Sequence, residues 1–243
     1  LSHIASAYYA SGYKSAVGLS LDGFGDFASL AISHCENNKI EIKKKVFFPH
    51  SLGVFYEAST QFLGFSNYGD EYKMMGLSGF GKPLYFEKIL ENLFQEDKNF
   101  YKLNLKYFNH IKSNFHYQFE GSPDQNEIFS NDIEEMMKLK KIYNTKILSK
   151  EYLDFAASVQ KVFEFYLEKI IYYIKNNFEN ENLVYAGGCA LNSKANQILY
   201  KKNYFKNIFI PYAPGDGGGS LGAAFEVTKK INNDLKKPYL GQI

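Results

Sequence analysis

The stretch "AVGLSLDGFGDFASLAISHCENNKIEIKKKVFF", residues 16–48, decides the fold. It reads as three strands joined by short turns. Val17 to Leu21 is the first. Asp22-Gly23-Phe24-Gly25-Asp26 is read as a tight turn, because Gly beside Asp is a strong hairpin signal. Phe27 to Ile32 is the second strand. "ENNK" turns the chain into a third, Ile40 to Phe48, which Pro49 stops. Ser51 is placed to cap a helix over Leu52 to Leu63, with Leu52, Phe55, Ser59, Phe62 and Leu63 on one face.

Outward from this core, the order of elements stays regular. Residues 2–11, "SHIASAYYAS", form a short helix of small residues. Residues 84–148 are dense in Lys, Asn, Phe and Tyr and hold only Gly121, so a mostly helical insertion is expected there. A long amphipathic helix, "LDFAASVQKVFEFYLEKIIYYIKNNF", follows over 153–178. After it come the strand "NLVYA", the turn Gly187-Gly188, a helix from about Ser193, the strand "NIFIPY", a Gly-rich turn and a closing helix over Leu221 to Ile231. Three antiparallel strands, a helix, then alternating strand and helix give an α/β fold. The order resembles one ribonuclease-H-like lobe, as in the actin, sugar kinase and heat-shock ATPase group.

With 45% hydrophobic residues in 243, the chain can bury a substantial core. The net charge of +2 argues neither for nor against nucleic acid, and no run of about 18 apolar residues reads as a membrane span. Neither nucleic acid nor membrane is therefore an expected partner. The basic residues are all lysines, so an anion site here must use lysine, backbone N–H groups or a metal. The two cysteines, Cys35 and Cys189, match no paired spacing, which fits a reducing cytoplasm.

Three turns carry the chemistry. In "LDGFGD", Asp22, Gly23, Gly25 and Asp26 are open to two readings. The backbone N–H groups could wrap an anion while a carboxylate holds a metal or water, or the aspartates could serve as ordinary turn formers. In "VYAGGCALNSKAN", Gly187 and Gly188 end a strand where open α/β sheets bind ligands, and Asn192 could cap the next helix or touch a ligand. Cys189 reads as a small packing residue rather than a nucleophile. In "YAPGDGGGSLGAAF", Asp216 stands among Gly215, Gly217, Gly218 and Gly219. Either it ligates a metal beside a bound phosphate, or it caps the last helix.

A longer motif, "PHSLGVFYEASTQFLGFSNYGDEYKMMGLSGFGKP" at 49–83, resembles the signature of the O-carbamoyltransferase family, which includes the nodulation-factor, aminoglycoside and cephalosporin carbamoyltransferases. The match is carried by Pro49-His50-Ser51-Leu52-Gly53, Thr60, Leu63-Gly64-Phe65, Glu71-Tyr72-Lys73, Met75-Gly76-Leu77, Gly81 and Pro83. "AGGCALNSKAN", "GDGGGSLGAA", "LSHIASAYYASGY" and "PYLG" at 238–241 are similar to further segments of the same family.

The resemblance implies a two-lobed first domain that transfers a carbamoyl group to a hydroxyl, commonly on a sugar. The donor is carbamoyl adenylate, made from carbamoyl phosphate and ATP by a second domain. It implies a metal, typically Fe2+, held by a His-x-x-x-His pair and an aspartate. By position His3 is the second histidine, Asp216 is the aspartate, and the first histidine falls just before Leu1. Residues 1–243 then correspond to the second lobe, with the N-terminal lobe and the adenylate-forming domain outside this sequence, so that a separate chain could supply the missing lobe. Asp22, Gly23, Gly25, Lys73, Gly187, Gly188, Asn192, Gly217 and Gly218 are candidates for cofactor contacts. His50, Glu71 and Asp26 are candidates for the proton acceptor that a hydroxyl acceptor needs. Two rivals stand beside this reading: a non-catalytic lobe acting as a binding module, and a hydrogenase-maturation-type carbamoyltransferase acting on a thiolate.

Overall fold

The structure is a computed structural model that describes residues 1–112, 126–143 and 149–229. His116, Gly121, the "PYLG" segment and the expected end of the closing helix at Ile231 lie outside the described residues. In chain order the elements are α1 (Ser2–Ser11), β1 (Ser15–Gly25), β2 (Ala28–Glu36), β3 (Lys39–Phe47), α2 (Leu52–Phe62), α3 (Glu71–Leu77), α4 (Phe86–Leu93), β4 (Phe94–Gln95) and β5 (Lys102–Leu103). Then follow α5 (Asp132–Met137), α6 (Lys150–Asn177), β6 (Asn182–Ala186), α7 (Ser193–Lys201), β7 (Asn207–Phe209) and α8 (Gly219–Thr228). The chain divides into two compact units, residues 1–48 with 168–243, and residues 49–167. No helix among the described residues is long and apolar enough to cross a membrane.

The first unit is built on a mixed α/β sheet of five strands in the order β3-β2-β1-β6-β7. β1 pairs antiparallel with β2 and β2 with β3, whereas β6 and β7 continue from β1 in parallel. Both hairpins use two-residue turns with left-handed backbone at each central residue: Asp26 and Phe27 at φ 54° and 59°, Asn37 and Asn38 at φ 51° and 59°. That geometry matches the strand twist, and Asn adopts it at little cost. The expectation of a turn over Asp22–Asp26 is therefore corrected. β1 runs on to Gly25, and an irregularity in the β1–β2 register between Leu21 and Gly25 absorbs the two glycines. β2 extends past Ile32 to Glu36, and β7 stops at Phe209 rather than Tyr212. On the edge strand β3, Lys39, Lys43 and Lys45 are exposed, which discourages pairing with other sheets.

α1 packs on this sheet through Ile4, Ala7, Tyr8 and Tyr9, all fully buried, in one cluster with Ala16, Val184, Ala186 and Phe225. The small residues of "SHIASAYYAS" allow this close approach. Gly18 carries none of the bulk of its neighbours because a Cβ there would stand 2.6 Å from the Ile4 side chain. Gly12, left-handed at φ 73°, ends the helix.

In the second unit, Ser51 accepts from the Val54 N–H at 3.1 Å and starts α2 as expected. Its core is aromatic: Phe55 meets Phe94, Phe62 meets Phe155 and Phe129, and Tyr56 meets Phe163. Most of the Phe and Tyr described between 84 and 112 are buried here, Phe94, Phe100, Tyr101, Tyr107 and Phe108 among them, so the aromatic richness serves packing. The expectation of a mostly helical insertion over 84–148 is corrected for the described residues. Helix there is confined to α4, α5 and one 3-10 turn at Leu105–Tyr107, and the rest is short strand or irregular.

Candidate metal centre

Strands β1, β6 and β7 lie side by side and parallel, so their carboxyl ends open at one edge of the first unit. The glycine turns that follow β6 and β7 meet each other and strand β1 at Leu21 and Asp22. Gly187 donates its N–H to the Pro214 carbonyl at 2.7 Å. A Cβ on Gly187, left-handed at φ 96°, would stand 2.2 Å from the Leu21 carbonyl oxygen. A Cβ on Gly215 would stand 3.5 Å from the Cα of Gly188. At Gly187 only a residue without a side chain allows this approach, whereas at Gly215 a Cβ would make an ordinary contact.

Into this junction α1 delivers His3, β1 delivers Asp22 and the turn after β7 delivers Asp216. His3 Nε2 lies 2.7 Å from Asp22 Oδ2 and 3.5 Å from Asp216 Oδ1. One ligand atom from each of the three residues lies within 4.8 Å of the others. Asp22 is fixed from two further directions, since its Oδ1 accepts from the Gly23 N–H at 2.8 Å and from the Gly188 N–H at 3.2 Å. Burial alone would push its carboxyl up. The His3 hydrogen bond and charge, with the two backbone N–H groups, outweigh that and hold it below the ordinary carboxylate range. Asp216 differs in exposure: its side chain is 81% accessible against 22% for Asp22. It sits in a 3-10 turn, Asp216–Gly218, that leads into α8.

The donor set fits a divalent cation. One imidazole nitrogen and two carboxylates, converging and partly open to solvent, match the ligands that Fe2+, Mn2+ and Zn2+ accept. His3 Nδ1 is buried and has no hydrogen-bond partner among the described residues. The ring thus faces the carboxylates through Nε2, which is the nitrogen positioned to ligate.

The other expected site residues fall elsewhere or take plainer roles. Asn192 caps α7 by accepting from the Ala195 N–H at 3.0 Å. A Cβ on Gly218 would stand 2.2 Å from the Ala213 carbonyl oxygen, so Gly218 shapes the turn, while Gly217 has room around it. Gly25 and Asp26 belong to the exposed β1–β2 hairpin tip. His50, Glu71 and Lys73 belong to the second unit. His50 Nδ1 accepts from the Leu103 N–H at 3.2 Å, and burial together with nearby Lys102 lowers its pKa. Burial raises the carboxyl of Glu71, with the neighbouring Asp70 charge acting the same way. Lys73 pairs with Asp70 at 2.7 Å. Sequence reading placed Asp22 among cofactor contacts and left a metal role open. Its place beside His3 and Asp216 rests on the parallel pairing of β1 with β6, which local sequence does not display.

An uncharacterised protein of Synechocystis sp. is 35% identical over 250 residues, covering 99% of this chain and 39% of its own length. The nodulation protein NolNO of Sinorhizobium fredii is 27% identical, covering 100% of this chain and 32% of its own length. A crystal structure of full-length HypF in the phosphate- and nucleotide-bound form superposes with a TM-score of 0.45 at 16% identity, over 94% of this chain and 42% of that one. The chain thus spans about a third to two fifths of the length of these curated relatives. Residues 1–225 match the family model described as the carbamoyltransferase N-terminus, and the chain belongs to that family.

Proposed function

We propose that this chain is the metal-holding and nucleotide-holding lobe of a carbamoyltransferase that passes a carbamoyl group from carbamoyl adenylate to a hydroxyl of a sugar or metabolite. The convergence of His3, Asp22 and Asp216 where two glycine turns meet strand β1 carries this reading. The strand order, three antiparallel strands continued by two parallel ones, supports assigning residues 1–48 and 168–229 to a ribonuclease-H-like lobe. The N-terminal lobe and the adenylate-forming domain then lie outside these 243 residues.

His3 Nε2 and the carboxylates of Asp22 and Asp216 would hold the cation, Fe2+ foremost. When bound, it supplies Lewis-acid stabilisation of negative charge on a carbonyl or phosphate oxygen. Gly23 and Gly188 donate to Asp22 and keep its oxygens aimed at His3. The open backbone around Gly217 leaves room for phosphate and carbamoyl oxygens to approach. Asp216, largely exposed, lies on the side from which a ligand enters. His50, Glu71 and Asp26 stay as candidate proton acceptors.

The test is anaerobic Fe2+ binding by the purified chain, followed by carbamoyl transfer from carbamoyl adenylate. Transfer is measured with the chain alone and with a separately supplied N-terminal lobe, using hydroxyl and thiol acceptors in parallel. One iron per chain and transfer to a hydroxyl on reassembly support the reading. Transfer only to a thiol would replace the acceptor class. Neither metal nor turnover in either state would leave a non-catalytic binding lobe.

A further inference from the structure

We infer that Gly222, itself no metal ligand, is the positioning residue that sets the distance between His3 and Asp216. This rests on the metal reading above and deepens it. A Cβ at position 222 would stand 1.9 Å from the Ser2 carbonyl oxygen, 2.8 Å from the Ser2 carbonyl carbon and 3.0 Å from the Ser6 backbone nitrogen. All three atoms are backbone atoms of α1, so no side-chain rotation relieves the contact. His3 is the residue next to Ser2, in the first turn of α1. Asp216 opens the 3-10 turn that runs without a break into α8, six residues ahead of Gly222.

The consequence is a lever. Whatever separates α8 from the first turn of α1 carries Asp216 away from His3, whose present separation is 3.5 Å. Asp22 is not on this lever. It hangs from β1, and Gly23 and Gly188 hold it by backbone hydrogen bonds. A methyl at 222 therefore acts on one ligand of the three.

The experiment measures Mn2+ affinity, as a redox-stable probe, of the full chain and four variants: Gly222→Ala, Asp216→Ala, the double variant, and Gly81→Ala. Gly81 is a control for overpacking, because a Cβ there would stand 2.0 Å from the Leu153 carbonyl oxygen, in the other unit. The expected result is a loss of about tenfold or more for Gly222→Ala and less than about twofold further loss when it is added to Asp216→Ala, since coupled residues fail to add. Gly81→Ala should lower Tm and leave affinity unchanged. If Gly222→Ala does not fold, a single glycine inserted after Gly219 cuts the lever while leaving residue 222 intact, and should cost a similar factor. Wild-type affinity in Gly222→Ala, or in the insertion variant when that replaces it, overturns the inference, as does full additivity with Asp216→Ala. Wild-type affinity in Asp216→Ala overturns the metal reading itself.

Discussion

His3 Nε2 stands 2.7 Å from Asp22 Oδ2 across nineteen residues of sequence, one on the first helix and one on the first strand. The pair ties α1 to the carboxyl end of β1 and gives Asp22 a pH-dependent share in stability. Because its folded pKa lies below the ordinary value, that share is present above about pH 4 and is lost as pH falls through the lowered folded value. Asp22→Asn should cost about 2 kcal/mol at neutral pH, the scale of a charged hydrogen bond. The gap between wild type and variant in urea unfolding should shrink as pH falls through that lowered value. A gap that stays constant with pH would show that the carboxylate charge contributes nothing.

Gly187 should tolerate no side chain. Its φ of 96° is left-handed, and a Cβ would meet the Leu21 carbonyl oxygen at 2.2 Å. Gly187→Ala adds backbone strain to a backbone clash, so a loss of about 3 kcal/mol or more is expected in thermal or urea unfolding. A loss under about 1 kcal/mol would mean that the β1 and β6 ends separate easily.

Phe27 should be improved by glycine. It sits at φ 59° in the β1–β2 turn with 77% of its surface exposed, so it bears the left-handed strain and gains little burial. Phe27→Gly creates the Asp-Gly pair that this turn type prefers and should stabilise the chain by about 1 kcal/mol. Destabilisation of that size would show that the exposed ring packs against something in solution.

Much of this architecture is legible in the sequence because the signals are local. Pro49 and Ser51 punctuate a strand and a helix, Asn37-Asn38 marks a hairpin, and "NLVYA" is bounded by Asn and Gly. What is not legible depends on partners far along the chain. The turn at Asp26-Phe27 holds an aromatic at positive φ, against propensity, because β1 and β2 fix the register around it. α3 is a seven-residue helix with Gly76 inside and only Met74 buried, too short to show a periodicity. The aromatic residues of 84–112 lie in a segment expected to be mostly helical but fill a core between short irregular segments. At the site, the motifs mark His3 and Asp216, whereas the place of Asp22 within 4.8 Å of both follows from sheet order.

The account stands most directly on Asp216. Its side chain is 81% exposed, so Asp216→Ala should change unfolding free energy by less than about 0.5 kcal/mol. The decisive measurement is the Fe2+ stoichiometry of wild type and Asp216→Ala, determined anaerobically on the folded chains. The account predicts one iron per wild-type chain and a large loss of binding in the variant at unchanged Tm. Equal iron binding by the two would contradict it.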